Sequence, residues 1–595
     1  MSNIRDWTVE YYVQSKELCD SILESNDDVL REIPSLNYLP VHSLQDGQLV
    51  RFSGMIQDMY NPELYFESYQ VKNLDTGATS MRSGMYRDTV KCLANEDVDL
   101  HSSKNTSSER QTCVMISIPG LNEWARESGP KLEPTGDGSL SAKAAPVSST
   151  NKRALDDGVG GGEDEPMDTT EPVLKKEKPS ESSEPVAGAS DAADQLRPKV
   201  IVSKDHLLNF PVPIVDGKAC IVKFYDDNPY KLNQVLDIIG FVSLDPMLSA
   251  LTVDESMDEV EVAEAQTHNP PASMVPRLHA IKIRKVVPKI PNGPSIISKA
   301  SLIRSDLHLV LSQLLFGDSL AADYVICHLI SRIYTRKDYL CLGNFPLNIT
   351  GFSVDKFNNF TRDFYDILTS FVTKTHLFEC TLDNLNSLSL VPRKDYDCNR
   401  LTSGILQLSD STHLIIDETK LIAGKISPSG KQNYQAITDL IKFQKISYDF
   451  KYYTMEYETD IPVLILSEAK SFVPCVMQVP IKVDEETEKT YPQVVEAAKQ
   501  FLKDDQRLAN FQGYLELMRG KEFKLGDDIS DVIQQDFVAL RRTDSKLVNA
   551  DSLHGLIVFA RLMSLSYGED SLSYDRWKQT FEIENERLGR LSQRK

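Results

Sequence analysis

The first 35 residues carry apolar side chains at helical spacing among acidic ones. The positions that set this period are Trp7, Tyr11, Val13, Leu18, Ile22 and Leu30. Such spacing predicts amphipathic helix, and Pro34 ends it. We therefore expect a helical N-terminal segment over residues 1–44.

The apolar period shortens towards two between residues 45 and 127. Leu49–Met59 alternates as a strand does, and residues 65–71 and 113–118 are further strand candidates. Asn-Pro and Asp-Thr-Gly turn signals separate these segments. Short strands at this spacing predict a small barrel or sandwich.

Residues 128–203 contain almost no aromatic side chains. The stretches 160–166 and 179–185 combine Gly or Pro with acidic residues. Such sequence cannot bury enough apolar surface to offset the entropy lost on folding, so we predict a disordered acidic linker. Basic clusters at 152–153 and 175–178 are either a nuclear import signal or ordinary linker charge.

A second β-rich segment, residues 204–277, follows the linker. Its strand candidates are residues 219–225 and Val235–Ser243, with Gly240 where a barrel strand would bend. We expect them to complete or adjoin the barrel that begins before the linker. The acidic run at 254–264 predicts a loop or linker.

Residues 278–494 alternate between helical and strand-like runs. The helical runs are 302–316 and 321–334, and the strand candidates are 345–349, 388–391, 413–416 and 463–467. This alternation predicts an α/β domain with mostly parallel strands. After roughly residue 495 the sequence pattern predicts helices throughout. They are expected at 494–502, 511–519, 529–541, 553–565 and 574–591.

Composition restricts the class of protein. A chain of 595 residues is too long for one core, so several domains are expected. The net charge of −22 argues against nucleic acid as the main partner. The nine Cys and ten His form no cluster with zinc spacing, so we predict no metal site and expect His328 and His413 in the core or at strand edges. No apolar leader or membrane-length run occurs, which predicts a cytoplasmic or nuclear protein.

Residues 314–324 have the outline of a phosphate-binding loop around Gly317-Asp318-Ser319. A working loop needs Gly-Lys-Ser/Thr, whereas Ala322, Asp323 and Tyr324 stand there. A carboxylate would repel phosphate and a phenol would obstruct it. The alternative is an ordinary turn between two core helices.

Two further features belong to the outline of an ATPase. An apolar strand ends in Asp417-Glu418, as a Walker B element does, and Arg561 lies late on an apolar helix, where a lid carries a phosphate-sensing arginine. Without a phosphate site the acidic pair has no catalytic task, which favours a structural or interface role. For Arg561, a helix-end arginine favoured by the helix dipole is the more common explanation. No intact Walker A, G-x-S-x-G or H-E-x-x-H motif occurs. We predict no enzyme activity, no catalytic residue and no cofactor.

Many separate stretches, in order, resemble the minichromosome maintenance (MCM) complex-binding protein family. Those before the α/β region are Met55-Ile56-Gln57-Asp58-Met59, Pro62-Glu63, Tyr86-Arg87-Asp88, Asn105-Thr106, Glu109-Arg110-Gln111, Pro270-Pro271-Ala272-Ser273 and Val275-Pro276-Arg277. Those that follow are Gly317-Asp318-Ser319-Leu320-Ala321-Ala322, His328-Leu329-Ile330-Ser331, Tyr334-Thr335-Arg336-Lys337-Asp338, Lys394-Asp395-Tyr396, Asn399-Arg400-Leu401, Ile416-Asp417-Glu418-Thr419, Tyr448-Asp449-Phe450, Asp536-Phe537-Val538 and Ala550-Asp551-Ser552-Leu553-His554.

The resemblance implies a multidomain fold of α/β plus β type. Its parts are an OB-like β-barrel region interrupted by the linker, a degenerate AAA+/MCM-like α/β domain that lacks Walker A, and a C-terminal helical lid. The implied function is non-catalytic binding of MCM helicase subunits, as a chaperone or scaffold in assembly, nuclear supply and S-phase unloading from chromatin, with an effect on sister chromatid cohesion. It further implies a nuclear protein with indirect chromatin association, no membrane contact and no small-molecule substrate.

Two alternatives stay open. The first is a divergent ATPase that remodels the MCM complex, which the acidic residues Asp318 and Asp323 disfavour. The second is an OB-type binder of single-stranded DNA, with bases stacked on aromatic side chains. Phe52, Tyr65, Phe66 and Tyr69 are the candidate aromatics, but basic residues near them are sparse.

Overall fold

The structure is a computed structural model of mixed α/β type with several sheets. It describes residues 4–25, 27–126, 202–245, 257–286, 290, 292–337, 340–353, 356–357, 359–526, 529–543 and 550–593. Nearly all of the predicted linker, including its basic clusters, lies outside these residues, so the prediction of disorder there is not tested.

Three short helices open the described chain, as the periodicity predicts. They are α1 (Val9–Gln14), α2 (Lys16–Ser25) and α3 (Asp27–Arg31). Thr8 caps α1 by accepting a hydrogen bond from the backbone of Tyr11. The buried face is formed by Tyr12, Cys19 and Leu23, whereas Leu18, expected on the apolar stripe, is 48% exposed.

Eight strands form the first sheet. They are β1 (Leu49–Met59), β2 (Glu63–Asn73), β3 (Thr79–Ser83), β4 (Glu96–Asp99), β5 (Thr106–Ile116), β6 (Ala219–Phe224), β7 (Val235–Ser243) and β8 (Arg277–Lys285). The strand candidates on both sides of the linker are confirmed. The pairings run β1–β7–β8–β6–β5, and β5 pairs again with β1, so five strands form a closed circuit. β6 and β8 are parallel, and β2 to β4 extend from β5.

Gly240 lies at an irregularity, as its position in β7 suggests. The pairing of β7 with β8 shifts register between Ile239 and Gly240. A Cβ at Gly240 would stand 2.2 Å from the carbonyl oxygen of His279. No larger residue fits this close approach of two backbones without movement.

The acidic run at 254–264 is not all loop. After α4 (Lys204–Leu207), α5 spans Glu259–His268. Asp258 and Glu261 form a reciprocal capping box at the start of α5, a local signal that favours helix over the loop predicted there.

A five-stranded sheet dominates the next part, in the order β12-β15-β18-β11-β19. Its strands are β11 (Leu347–Thr350), β12 (Thr375–Glu379), β15 (His413–Asp417), β18 (Val463–Ser467) and β19 (Met477–Pro480). Every pairing in it is parallel, as predicted. The helices around it are α6 (Gly293–Ser298), α7 (Ala300–Leu314), α8 (Ser319–Ile330), α9 (Phe360–Thr369), α10 (Leu382–Ser387) and α11 (Pro428–Phe443).

Two smaller sheets lie in the same region. One pairs β9 (Thr335–Lys337) with β10 (Leu340–Leu342), and the other has the order β14-β13-β16-β17. The strands of the second are β13 (Arg393–Asp395), β14 (Arg400–Thr402), β16 (Lys445–Asp449) and β17 (Thr454–Glu458). The strand predicted at 388–391 is wrong. This segment is an irregular connection between the end of α10 and Pro392. The side-chain amide of Asn433 donates a hydrogen bond to the carbonyl of Leu388.

The C-terminal part is helical, as predicted. Its helices are α12 (Glu485–Lys489), α13 (Tyr491–Phe501), α14 (Asp505–Gly520), α15 (Ser530–Thr543), α16 (Ala550–Ser566) and α17 (Tyr574–Gln593). Several of them share one large apolar core with α7, α8 and one face of the parallel sheet. Among the described helices none alone is long and apolar enough to cross a membrane; α7 and α8 meet that condition only jointly, bent by 120°, and α8 is almost wholly buried.

Candidate functional site at the carboxyl edge of the parallel sheet

The sheet fixes where a phosphate-binding loop would lie. Such a loop joins a strand to the helix that follows it. Here β11, in the interior of the sheet, leads through residues 351–359 into α9. The Gly317-Asp318-Ser319 turn instead joins α7 to α8, and both helices precede β11. The interpretation as an ordinary turn between core helices is confirmed.

Asp318 is a structural carboxylate in this turn. It caps α8 by accepting from the backbone N–H of Ala321, at 3.2 Å. It also accepts from the backbone N–H of Lys482, at 2.8 Å, and forms an ion pair with Arg590 of α17. The turn is therefore a junction of α8, the segment after β19 and the last helix.

Asp323 and Tyr324 also serve helix packing rather than nucleotide exclusion. Asp323 pairs with the buried Arg304 of α7. The ring of Tyr324 stacks on Phe559 at 4.2 Å, and its hydroxyl donates to Glu584, which is itself paired with Arg587. Burial, then the neighbouring Glu584 carboxylate, raises the pKa of Tyr324 well above its usual value, so the phenol stays protonated.

Aromatic side chains fill the position where phosphate would bind. In a P-loop a lysine directly precedes the Ser/Thr near the start of the helix; here α9 begins Phe360-Thr361. Phe360 is 1% exposed, with ring centroids 4.5 Å from Phe352 and 5.2 Å from Phe316. Tyr491 lies 4.8 Å from Phe316 and completes the cluster. Among the described residues, Phe360 stands at the lysine position, and the neighbouring rings pack around it.

The acidic pair ends β15 at this same edge, as the sequence predicts, but both carboxylates already have partners. Asp417 accepts from the hydroxyl of Thr361 at 2.9 Å and from the backbone and hydroxyl of Thr419. Glu418 accepts from Ser471 and from the backbone N–H groups of Phe472 and Val473. Burial raises the pKa of Glu418 despite these donors. The donors leave every oxygen of the pair engaged within the protein.

We expect no ATP binding by this chain. Isothermal titration with Mg²⁺ and ATP, carried to about 1 mM nucleotide, the upper end of ordinary KM values, should give only dilution heats. The physical reason is the buried phenylalanine cluster at the start of α9, together with an acidic pair whose oxygens already accept hydrogen bonds from the protein. A saturable binding isotherm would contradict this and favour the ATPase alternative.

Arg561 lies on α16, and its described contacts are with aromatic rings. Its guanidinium stands 4.2 Å from the ring centroid of Tyr334 and 5.7 Å from that of Phe523. Burial, opposed by Tyr334, lowers its pKa. These contacts are cation–π packing within the fold, so Arg561 has a structural explanation that its sequence position alone does not give.

The eight-stranded sheet does not expose all four aromatics proposed for DNA stacking; Phe52 lies on β1, and Tyr65, Phe66 and Tyr69 lie on β2. Phe52 and Tyr69 are fully buried. Tyr65 is half-buried, with its ring edge-on to Tyr225 at 5.1 Å and Arg110 over its face. The buried pair cannot stack on bases, which weakens the DNA-binding alternative.

The circuit does contain a buried ionic network that unites three family motifs. Asp88 lies 2.7 Å from Lys223, 3.4 Å from His279 and 3.7 Å from Arg110. Glu63 pairs with the same Lys223 and Arg110. Burial alone would raise the pKa of Asp88, but His279 and Lys223 outweigh it and hold that pKa well below its usual value.

Two other motif segments meet between the strand circuit and the α/β part. Asp58 at the end of β1 accepts from the backbone N–H of Leu401 at 2.8 Å. Gln407 donates to the carbonyl of Gln57 at 2.9 Å, and Arg400 reaches the side chain of Gln57. Because these contacts are buried, they fix the circuit against the α/β part.

His328 and His413 lie in the core, as expected. The rings are T-shaped to each other at 5.4 Å; His328 contacts the carbonyl of Phe345, and His413 accepts from Arg519. A different group, His206 with Asp395 and Cys398, brings possible metal-ligand atoms together. Sequence spacing missed it because His206 is remote in the chain; only the Asp-x-x-Cys spacing of the other two was visible.

The fold and this site define a large mixed α/β protein whose parallel sheet carries an acidic pair beside a buried cluster of aromatic rings. The family model described as Mini-chromosome maintenance replisome factor matches residues 19–591. The Mini-chromosome maintenance complex-binding protein of Mus musculus is 36% identical over 95% of this chain and 91% of its own length. The Drosophila melanogaster protein of that name is 36% identical over 94% and 92%, and the Homo sapiens one 35% over 95% and 91%. The chain belongs to the Mini-chromosome maintenance complex-binding protein family.

Proposed function

We propose that this chain is a non-catalytic binding protein for subunits of the MCM replicative helicase. The observation that carries the proposal is the family match along nearly the whole chain, to relatives named for binding that complex. The filled phosphate position supports a role that needs no ATP on this chain.

We further propose a shape related to the helicase itself. The closed five-strand circuit supports an OB-type barrel, and the parallel sheet with its strand-end acidic pair supports a degenerate AAA+-type domain. The helices of residues 495–595 would then be the lid. A chain of that shape would dock on a true subunit where a neighbouring subunit lies, and act as chaperone or scaffold.

The cellular roles we propose follow from family resemblance. They are MCM assembly, nuclear supply, unloading from chromatin during S phase and support of sister chromatid cohesion, in the nucleus, with chromatin contacted through the helicase. The net charge of −22 favours protein partners over direct DNA contact. The basic clusters at 152–153 and 175–178 are the proposed import signal.

The test is affinity purification of the tagged full chain from nuclear extract, with partners identified by mass spectrometry. We expect MCM subunits to be recovered. A matched variant replaces residues 131–200 by a Gly/Ser sequence of equal length. Both proteins are purified first and added to the same extract, so that loss of the proposed import signal cannot affect recovery. The variant should recover MCM subunits equally well, because docking is assigned to residues outside 131–200. Absence of MCM subunits from both samples would overturn the proposal, and loss from the variant alone would overturn docking by shape.

A further inference from the structure

A histidine, a carboxylate and a cysteine converge where the chain resumes after the predicted linker. One possible ligand atom from each of His206, Asp395 and Cys398 lies within 4.8 Å of the other two. Nε2 of His206 stands 3.1 Å from Sγ of Cys398. Cys398 is buried, and the other two are half-buried.

Separate elements hold the three side chains. His206 lies on α4, where Ser203 accepts from its backbone N–H and Arg400 donates to its carbonyl at 2.8 Å. Asp395 ends β13, and Cys398 lies in the short turn between β13 and β14. Asp395 Oδ1 accepts from the backbone of Asp397, which fixes the carboxylate. The cluster is therefore built on braced backbone rather than on a free surface loop.

The three side chains offer one another more acceptor atoms than protons. A carboxylate only accepts, a neutral imidazole has one acceptor nitrogen, and a thiol has one proton to share between them. A divalent cation would contact all three ligand atoms at once. Imidazole nitrogen and thiolate sulfur favour zinc over magnesium or calcium. The nearby Arg400 guanidinium opposes a cation, but a thiolate and a carboxylate carry enough negative charge to balance zinc.

We propose that His206, Asp395 and Cys398 bind a zinc ion that ties α4 to the β13–β14 turn, with the fourth position taken by water. When zinc binds, Cys398 loses its thiol proton to solvent and the oxidation state of the metal does not change. The ion would fasten the segment that follows the predicted linker to the α/β part. This site is independent of the proposed MCM binding.

The experiment measures zinc in the full chain, purified without a histidine tag, by inductively coupled plasma mass spectrometry after dialysis. We expect near-stoichiometric zinc. Cys398→Ser and His206→Gln should lose it, whereas Cys92→Ser, which changes an exposed cysteine, should retain it. Asp395→Asn should weaken zinc affinity by at least about tenfold. Circular dichroism confirms that each variant is folded.

A second measurement loads the wild-type chain with cobalt in place of zinc, so that the proposal can be tested even if a variant fails to fold. A thiolate-to-cobalt absorption band in the near ultraviolet should appear in the wild type and in Cys92→Ser, and should be absent from Cys398→Ser. A wild-type chain that holds no zinc and shows no such band would overturn the proposal. Zinc retained undiminished by folded Cys398→Ser would overturn it as well.

Discussion

Asp88→Ala should lower the free energy of unfolding by about 3–5 kcal/mol, the cost of removing one partner from a buried ion pair. Asp88 is 2% exposed at its side chain and lies between Lys223, His279 and Arg110. Glu63 would remain as a partner for Lys223 and Arg110, but Glu63 is half-exposed whereas both cations are buried. Positive charge would therefore stay buried and undercompensated.

Urea unfolding followed by circular dichroism measures this change. The matched control is Asp227→Ala, an exposed aspartate on the loop after β6, which should change stability by no more than about 0.5 kcal/mol. Asp88→Asn should fall between the two, since the amide keeps the shape but loses the charge. A loss below about 1 kcal/mol for Asp88→Ala would show that the network does not hold the circuit together.

Acidification from pH 6.5 towards pH 4 should remove several kcal/mol of stability. Burial lowers the pKa of His328 from 6.5 to about 4, and burial together with Arg519 lowers that of His413 well below 6.5. Between the two pKa values of each histidine, the unfolded chain has the imidazole protonated and the folded chain has it neutral. The stabilisation is therefore fully present above pH 6.5 and is lost as the pH falls. His328 alone accounts for about 3 kcal/mol, because one pKa unit is worth about 1.4 kcal/mol.

The charged groups near His413 set the size of this effect. Arg519 and Lys374 disfavour its protonation, while Asp460, whose pKa burial raises, partly opposes the loss because its own protonation favours the folded state. Chemical denaturation at a series of pH values gives the slope. His328→Gln should reduce the slope of stability against pH by up to about 1.4 kcal/mol per pH unit. The control His101→Gln changes an exposed histidine and should leave this slope unchanged. A flat profile between pH 6.5 and 4.5 would contradict the account.

Alternation and helical spacing were sufficient to predict many elements. β1, β7 and β18 have the predicted bounds, because strands with one or two buried faces show their period directly. The loop predicted at 254–264 is wrong from Glu259 onward. The prediction rests on the polar composition of the run, whereas the capping box of Asp258 and Glu261 favours a helix there. The segment 388–391 is apolar because Leu390 is buried beneath neighbouring segments, not because it joins a sheet.

The candidate site was predicted in part for a similar reason. Asp417-Glu418 was found because an apolar strand that ends in two acids is a local pattern. Phe360 was not found, since a buried phenylalanine in a phosphate position has the same sequence signature as any core phenylalanine. The Asp88 network and the His206 cluster depend on contacts between distant segments, which periodicity does not encode.

The most direct test of nucleotide-independent MCM binding uses the purified full chain and single purified MCM subunits, mixed with and without ATP. Photoaffinity labelling with an azido-ATP analogue reports whether this chain itself takes up nucleotide. We predict a stable complex in the nucleotide-free mixture and no label on this chain. A complex that forms only with ATP, with label crosslinked to this chain, would contradict the account.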